Sequence, residues 1–232
     1  MKLPPLIGGR LVRRYKRFLA DVELDEGPTV TAHTGNPGAM TGLAEPGSRV
    51  LLSHHPDPKR KLAYTWQVVY VGRTPVGVNP LLANRLVREG IEGGVIRELA
   101  GYPTLRPEVA VGGSRLDFEL SAPGRRRCLV EVKSVTLRDG RTGRFPDAPS
   151  ERGRRHLEEL TALAASGARA VLVFLAQRGD LRAVGPAREV DPAYGDALDL
   201  ARAAGVEVLA YRAAVEPSRG RIRVAGSLPL CV

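Results

Sequence analysis

The sequence predicts an α+β chain whose second part alternates helix and strand in the α/β manner. A small β-barrel over residues 1–80 is followed by a mixed sheet flanked by helices over residues 81–232. Three observations carry this reading. Short period-two segments separated by turn residues fill the first 80 positions. Helical periodicity enters at Leu81. Beyond it a β-hairpin and a continuous apolar run from Arg169 to Ala176 alternate with helical stretches, the order of a sheet covered by helices. A chain of 232 residues can bury a sizeable core, as one large domain or two small ones, and the composition shift places the division near Pro80.

In the first part, Arg10 to Leu24 mixes Val, Tyr, Phe and Leu with basic residues, and Thr29 to His33 follows a Gly27-Pro28 turn. Arg49 to Ser53, Leu62 to Gly72 and Thr74 to Asn79 complete about five strands. That number fits a Greek-key barrel of the OB type, a fold that holds single strands in a basic groove with aromatic platforms. The aromatic candidates are Tyr15, Phe18, Tyr64 and Trp66, beside Arg14, Lys16, Arg17, Arg60 and Lys61. Phe18, next to Leu19, reads as core. Trp66, the only tryptophan, reads equally as core or as stacking surface and is taken as a nucleic-acid contact. The loop Gly35-Asn36-Pro37-Gly38 reads as a plain turn rather than a phosphate cradle.

In the second part, Leu81, Leu82, Arg85, Leu86 and Glu89 recur at helical spacing, and Ile91 to Leu99 forms a second helical piece stopped by Gly101 and Pro103. The stretch Arg115 to Leu137 alternates with period two on both sides of an Ala122-Pro123-Gly124 turn, as a hairpin with one buried face does. Leu116, Phe118 and Leu120 are expected on one face, with Asp117 and Glu119 on the other. Arg138 to Pro149 reads as a loop bordering the site. Ser150 caps a helix from Glu151 to Ala165 with Leu157, Leu160 and Ala164 as its buried stripe and Arg152, His156 and Glu159 on another face. Asp191 to Ala204 is expected as a helix, Val206 to Tyr211 as a strand, and Arg221 to Leu230 as an extended segment.

The hairpin carries the chemistry. Glu131 and Lys133 are two apart and share a face, so ordinary pairing brings them close to Asp117. Two neighbouring carboxylates repel unless a divalent cation lies between them. Asp117, Glu131 and the carbonyl of Val132 make an all-oxygen site suited to Mg²⁺ or Mn²⁺, and Lys133 can position a water for in-line attack on a phosphodiester. The chain has 35 Lys+Arg but only five lysines, and after Lys61 the only one is Lys133, where a compact, titratable ammonium serves and a guanidinium would not. Alternating charge on a half-exposed strand is the plain alternative.

Net charge is +10 with a pI near 10.2, which points to a polyanion. The cations cluster at Arg13-Arg14-Lys16-Arg17, Lys59-Arg60-Lys61, Arg125-Arg126-Arg127 and Arg152-Arg154-Arg155, a pattern suited to counterion release. An arginine-rich surface without a partner is the competing reading. Cys128 and Cys231 make neither a disulfide framework nor a zinc motif. No apolar window reaches the length of a membrane span, and Met1-Lys2-Leu3-Pro4-Pro5 is no signal peptide, so a cytoplasmic protein without a membrane partner is expected.

Asp117 followed by Glu131-Val132-Lys133 on the next strand resembles the PD-(D/E)XK nuclease superfamily, with Leu116 where the name expects proline. More of the chain resembles the sugar fermentation stimulation protein A (SfsA) family, nearly end to end. The blocks are Arg14 to Val22, Asn36 with Gly38-Ala39-Met40-Thr41-Gly42, Arg60-Lys61 with Thr65-Trp66, Val78-Asn79 and Ala83-Asn84-Arg85-Leu86. They continue with Ser114-Arg115-Leu116-Asp117-Phe118, Glu131 to Leu137, Phe145-Pro146-Asp147-Ala148, Glu151-Arg152-Gly153 and His156-Leu157. The chain departs in one loop, where His33-Thr34-Gly35-Asn36-Pro37-Gly38-Ala39-Met40 stands against the family's His-Cys-Pro-Asn-Thr-Gly-Ala-Met.

The resemblance implies an N-terminal OB-like barrel, a PD-(D/E)XK nuclease-like second domain, and DNA as partner, single- or double-stranded. It also implies that Glu98 adds an acidic residue at the metal or its water, that Arg152 and His156 contact the scissile phosphate, and that Arg115 joins the DNA-contacting cations. Family members look like nucleases yet are described as DNA-binding proteins linked to sugar metabolism. The leading expectation is therefore a Mg²⁺-dependent deoxyribonuclease. The alternatives are a non-catalytic DNA-binding regulator on a nuclease-like scaffold and an enzyme acting on RNA. Oligomeric state, a homodimer included, is not legible.

Overall fold

The structure, a computed structural model, describes residues 1–231. Strands β1 (Leu6–Tyr15), β2 (Leu19–Leu24), β3 (Thr29–His33), β4 (Arg49–His54) and β5 (Tyr64–Val71) follow the order β1-β2-β3-β5-β4, and β4 returns to β1. The parallel pairs Ala32 with Tyr64 and His33 with Thr65 close the barrel, leaving these strands no free edge. A further strand, β6 (Thr74–Gly77), folds back on β5. Alternate residues point inward, so Leu11, Ala20, Val22, Val50, Leu52, Trp66 and Val76 fill the barrel. Leu51 and Val68 face outward and join the core of the second unit.

Arg10 to Leu24 is a hairpin rather than one strand. Lys16 and Arg17 adopt left-handed φ of 48° and 62° and turn the chain between β1 and β2.

The second unit is a six-stranded mixed sheet of order β15-β14-β12-β9-β8-β7. Its strands are β7 (Thr104–Val111), β8 (Ser114–Ser121), β9 (Cys128–Val135), β12 (Arg169–Ala176), β14 (Glu207–Glu216) and β15 (Arg221–Ser227). Helix α1 (Leu81–Glu92) covers one face through Leu82, Leu86 and Ile91, packed on Val130, Val132, Val171 and Val173. Helices α2 (Glu151–Ala165) and α3 (Pro192–Ala203) cover the other through Leu157, Leu160 and Leu198, packed on Leu129, Leu172 and Phe174. A small sheet of β10 (Leu137–Asp139), β11 (Thr142–Phe145) and β13 (Ala183–Pro186) lies beside it.

Several expectations are corrected. Residues 104–111, assigned to no element from the sequence, form β7, and its Pro107 is tolerated because an edge strand needs no donor on its outer side. The loop expected at 138–149 contains the β10–β11 hairpin. The helical piece expected at 91–99 is the end of α1 and a one-turn 3₁₀ segment at Arg97–Leu99, separated by Gly93 and Gly94, the latter at φ 67°. The apolar face of β8 breaks at Asp117: Phe118 and Leu120 pack under α1, whereas Leu116 packs on the α2 side. Glu108, which lies opposite Asp117 between the Pro107–Phe118 and Val109–Leu116 pairs, has a left-handed φ of 53°. No helix among the described residues is long and apolar enough to cross a membrane.

Candidate active site

The site forms where β8 leaves β9. Their pairing ends at Phe118 with Val130. One residue on, the Asp117 carboxylate replaces the lost ladder partner: Oδ2 accepts the Val132 N–H at 2.7 Å, and Oδ1 accepts from Asn84 Nδ2 of α1 at 2.6 Å. Glu131 and Lys133 project from β9 toward α2, and the Lys133 ammonium donates to Glu131 Oε1 at 2.7 Å. His156, on the second turn of α2, reaches the same oxygen through Nδ1. Arg152 Nε donates to His156 Nε2 at 3.4 Å, which leaves Nδ1 to carry the ring proton and donate to Glu131. Ser150 sets the helix start by accepting the Gly153 N–H at 3.0 Å.

The electrostatics of the two carboxylates diverge. Burial pushes the Asp117 carboxyl up to about 6, helped by the charge of Glu131 and opposed by Val132 N–H, Asn84 and Lys133. Burial also acts upward on Glu131, but the His156 hydrogen bond and the Lys133 charge outweigh it and hold Glu131 below the usual carboxylate value. Glu131 is only 3% exposed, and its Oε2 is buried with no hydrogen-bond partner among the described residues. A buried carboxylate oxygen left without a donor is costly unless something binds it. The donor set therefore fits a hard divalent cation: an orphaned carboxylate oxygen, a second carboxylate beside it, and the Val132 carbonyl. Among the described residues no cluster of three or more acidic, His or Cys side chains could hold a metal. Such a site leaves the remaining coordination to water and substrate, as Mg²⁺ prefers.

Two cavities flank these groups. One of about 330 Å³ lies between the barrel and the sheet, lined by Arg17, Gly38, Val132, Lys133 and Asp147 among others. The other, of about 410 Å³, is lined by the Gly112–Ser114 hairpin tip with Arg115, Arg152, Arg155 and His156. His156 thus joins the Glu131 cluster to a basic pocket, and the helix face expected to lie apart from the buried stripe is buried at this residue.

The remaining expected residues are distributed as follows. Glu98 is not brought to the cluster: its Oε2 accepts from Tyr211 of β14 at 2.5 Å, two strands away from β9. Arg14 is engaged by its own barrel, donating to the carbonyls of Arg17, Asn36, Gly38 and Ala39 at 2.9–3.2 Å. Trp66 is completely buried, with its indole N–H on the Val68 carbonyl, so it is core and offers no stacking surface. Phe18, expected in the core, is exposed. Lys16, Arg17, Arg60 and Lys61 are exposed on the barrel. Asn84 had no assigned role in the sequence, because only the fold brings it to a residue 33 positions away.

Known proteins resemble this chain throughout. The family model described as the sugar fermentation stimulation protein RE domain matches residues 81–219, and the one described as the SfsA N-terminal OB domain matches residues 12–78. A sugar fermentation stimulation protein homolog of Geobacter sulfurreducens is 54% identical over 232 residues, covering 99% of this chain and 98% of its own. The homolog of Pelobacter propionicus is 53% identical over 224 residues, covering 96% and 97%. The solved structure of Pyrococcus furiosus SfsA in complex with Ca²⁺ matches with a TM-score of 0.92 at 30% identity, covering 100% of this chain and 98% of that one.

Proposed function

The chain belongs to the sugar fermentation stimulation protein family, and from that membership and the site geometry we propose that it binds DNA and hydrolyses phosphodiester bonds with a divalent cation, Mg²⁺ or Mn²⁺. Asp117, Glu131 and the Val132 carbonyl hold the cation. Glu131 Oε2 carries the proposal: it is buried and unpartnered among the described residues, while its sister oxygen is held by Lys133 and His156. The Ca²⁺ bound by the Pyrococcus relative supports a hard-cation site in this fold.

A divalent cation supplies Lewis acidity to the phosphoryl group. The chain's own residues do the rest. Asn84 and the Val132 N–H fix the Asp117 carboxylate, and His156 fixes Glu131. Lys133, which lines the cavity between barrel and sheet, holds the attacking water by donating to its oxygen. Arg115 and Arg152, at the neighbouring basic pocket, bind backbone phosphates. Lys16, Arg17, Arg60 and Lys61 extend the positive surface over the barrel.

Incubating labelled single- and double-stranded DNA with the protein and Mg²⁺, Mn²⁺ or EDTA tests the proposal, alongside Asp117→Ala and Lys133→Ala. Metal-dependent cutting that both substitutions abolish, with DNA binding retained, supports it. Salt-sensitive binding without cutting in any metal rejects catalysis in favour of a DNA-binding regulator, and an RNA arm identifies a ribonuclease.

A further inference from the structure

With Trp66 buried, the aromatic surface of the barrel lies elsewhere. Phe18 is 41% exposed and sits at the end of the turn joining β1 to β2. Its ring is nearly parallel to that of His33, with 14° between the planes and 6.3 Å between centroids. The backbone beneath is pinned, since the Phe18 carbonyl accepts the Thr34 N–H at 2.9 Å. The two preceding residues, Lys16 and Arg17, hold the left-handed φ values of 48° and 62° and make the hairpin turn that presents Phe18. The turn stands between two cavities. Arg17 lines the cavity that contains Lys133. His33 lines another of about 520 Å³ with Leu19, Thr31, Arg60 and Lys61.

We propose that Phe18, backed by His33, is a base-stacking platform that leads a single strand from the Arg60–Lys61 cavity across the turn to the Lys133 cavity. The inference rests on the nucleic-acid reading above and narrows it to unpaired strands. An exposed aromatic ring among cations favours a partner with both flat π-faces and negative charge, and an unpaired nucleotide has both. A duplex hides its base faces in its own stack, so it gains from the cations but not from the ring.

Fluorescence anisotropy in EDTA, where cutting is suppressed, tests the platform with three labelled probes: a single strand, the same strand with consecutive abasic sites, and the duplex. Wild type is compared with Phe18→Ala and Phe18→Trp. The expected result is a loss of about 10-fold in single-strand affinity for Phe18→Ala, with the duplex and abasic probes little changed. Phe18→Trp is expected to restore single-strand affinity, which also reports an intact fold. Equal affinity of Phe18→Ala and wild type for the intact strand overturns the platform, as does an equal loss on all three probes. Wild type that binds neither strand nor duplex overturns the nucleic-acid reading itself, and the platform with it.

Discussion

Asp117 is held by two opposed influences: burial and the Glu131 charge favour its neutral form, whereas Val132 N–H, Asn84 and Lys133 favour its anion. For an acid raised in the folded state, the stability it contributes is complete below its ordinary value of 3.8 and is lost as pH rises through about 6. At pH 8 the metal-free protein is therefore destabilised at this residue. Asp117→Asn, which keeps an acceptor for Val132 N–H, is expected to raise metal-free stability by up to about 3 kcal/mol in urea unfolding at pH 8. Mn²⁺ is expected to raise the melting temperature of wild type and to leave that of Asp117→Asn unchanged. Arg14 and Arg60 separate structure from binding in the same way. Arg60→Ala is expected to reduce the salt dependence of DNA affinity by about one phosphate contact. Arg14→Met should leave that slope unchanged and cost about 2 kcal/mol of stability, because its guanidinium holds four carbonyls. Residue type and spacing pointed to Asp117, Glu131 and Lys133, which the adjacent strands β8 and β9 do bring together. They misjudged Trp66 and Phe18, since a ring's exposure depends on where the strand ends, and the left-handed turn at Lys16 and Arg17 is not encoded by glycine.

At the scale of elements, α2 links capping to chemistry. Ser150 satisfies the Gly153 N–H and Asp191 accepts the Ser150 N–H at 2.8 Å, which fixes the turn that presents Arg152 and His156. Ser150→Ala is expected to cost about 1 kcal/mol in denaturant unfolding and to slow cutting more than it weakens DNA binding, because His156 positions Glu131. The hairpin of β8 and β9, the helices α1, α2 and α3, and the buried strand β12 were legible from period and turn residues. The break in β8 was not: alternation runs unbroken from Leu116 to Leu120, yet Leu116 and Phe118 join different cores, opposite the left-handed Glu108 of β7. β7 was not assigned from the sequence, and its Pro107 fits a strand only because the fold places it at the sheet edge. Glu98 misled for the opposite reason, since helical placement alone says nothing about which strand the side chain meets, and it meets Tyr211.

At the scale of the molecule, the barrel and the sheet are joined beside the site. Asp147 accepts the Met40 N–H at 3.2 Å, and Gly77 donates its N–H to the Gln177 carbonyl at 2.8 Å. A Cβ on Gly38 would collide with the Asp147 carboxylate. Gly38→Ala is therefore expected to cost about 2 kcal/mol. By swinging the Asp147 carboxylate off the Met40 N–H beside the Lys133 cavity, it is also expected to slow cutting on the order of tenfold or more, with DNA affinity nearly unchanged in the same assays. This joint rests on contacts 100 or more positions apart, so the sequence revealed two units without the seam between them. In the proposed function, Asp117 and Glu131 form one cation site at that seam. Anomalous diffraction from crystals soaked in Mn²⁺ locates that cation. The expected result is one peak roughly 2.1 Å from both an Asp117 carboxylate oxygen and Glu131 Oε2. A peak elsewhere, or none with Glu131 Oε2 still unliganded, contradicts it.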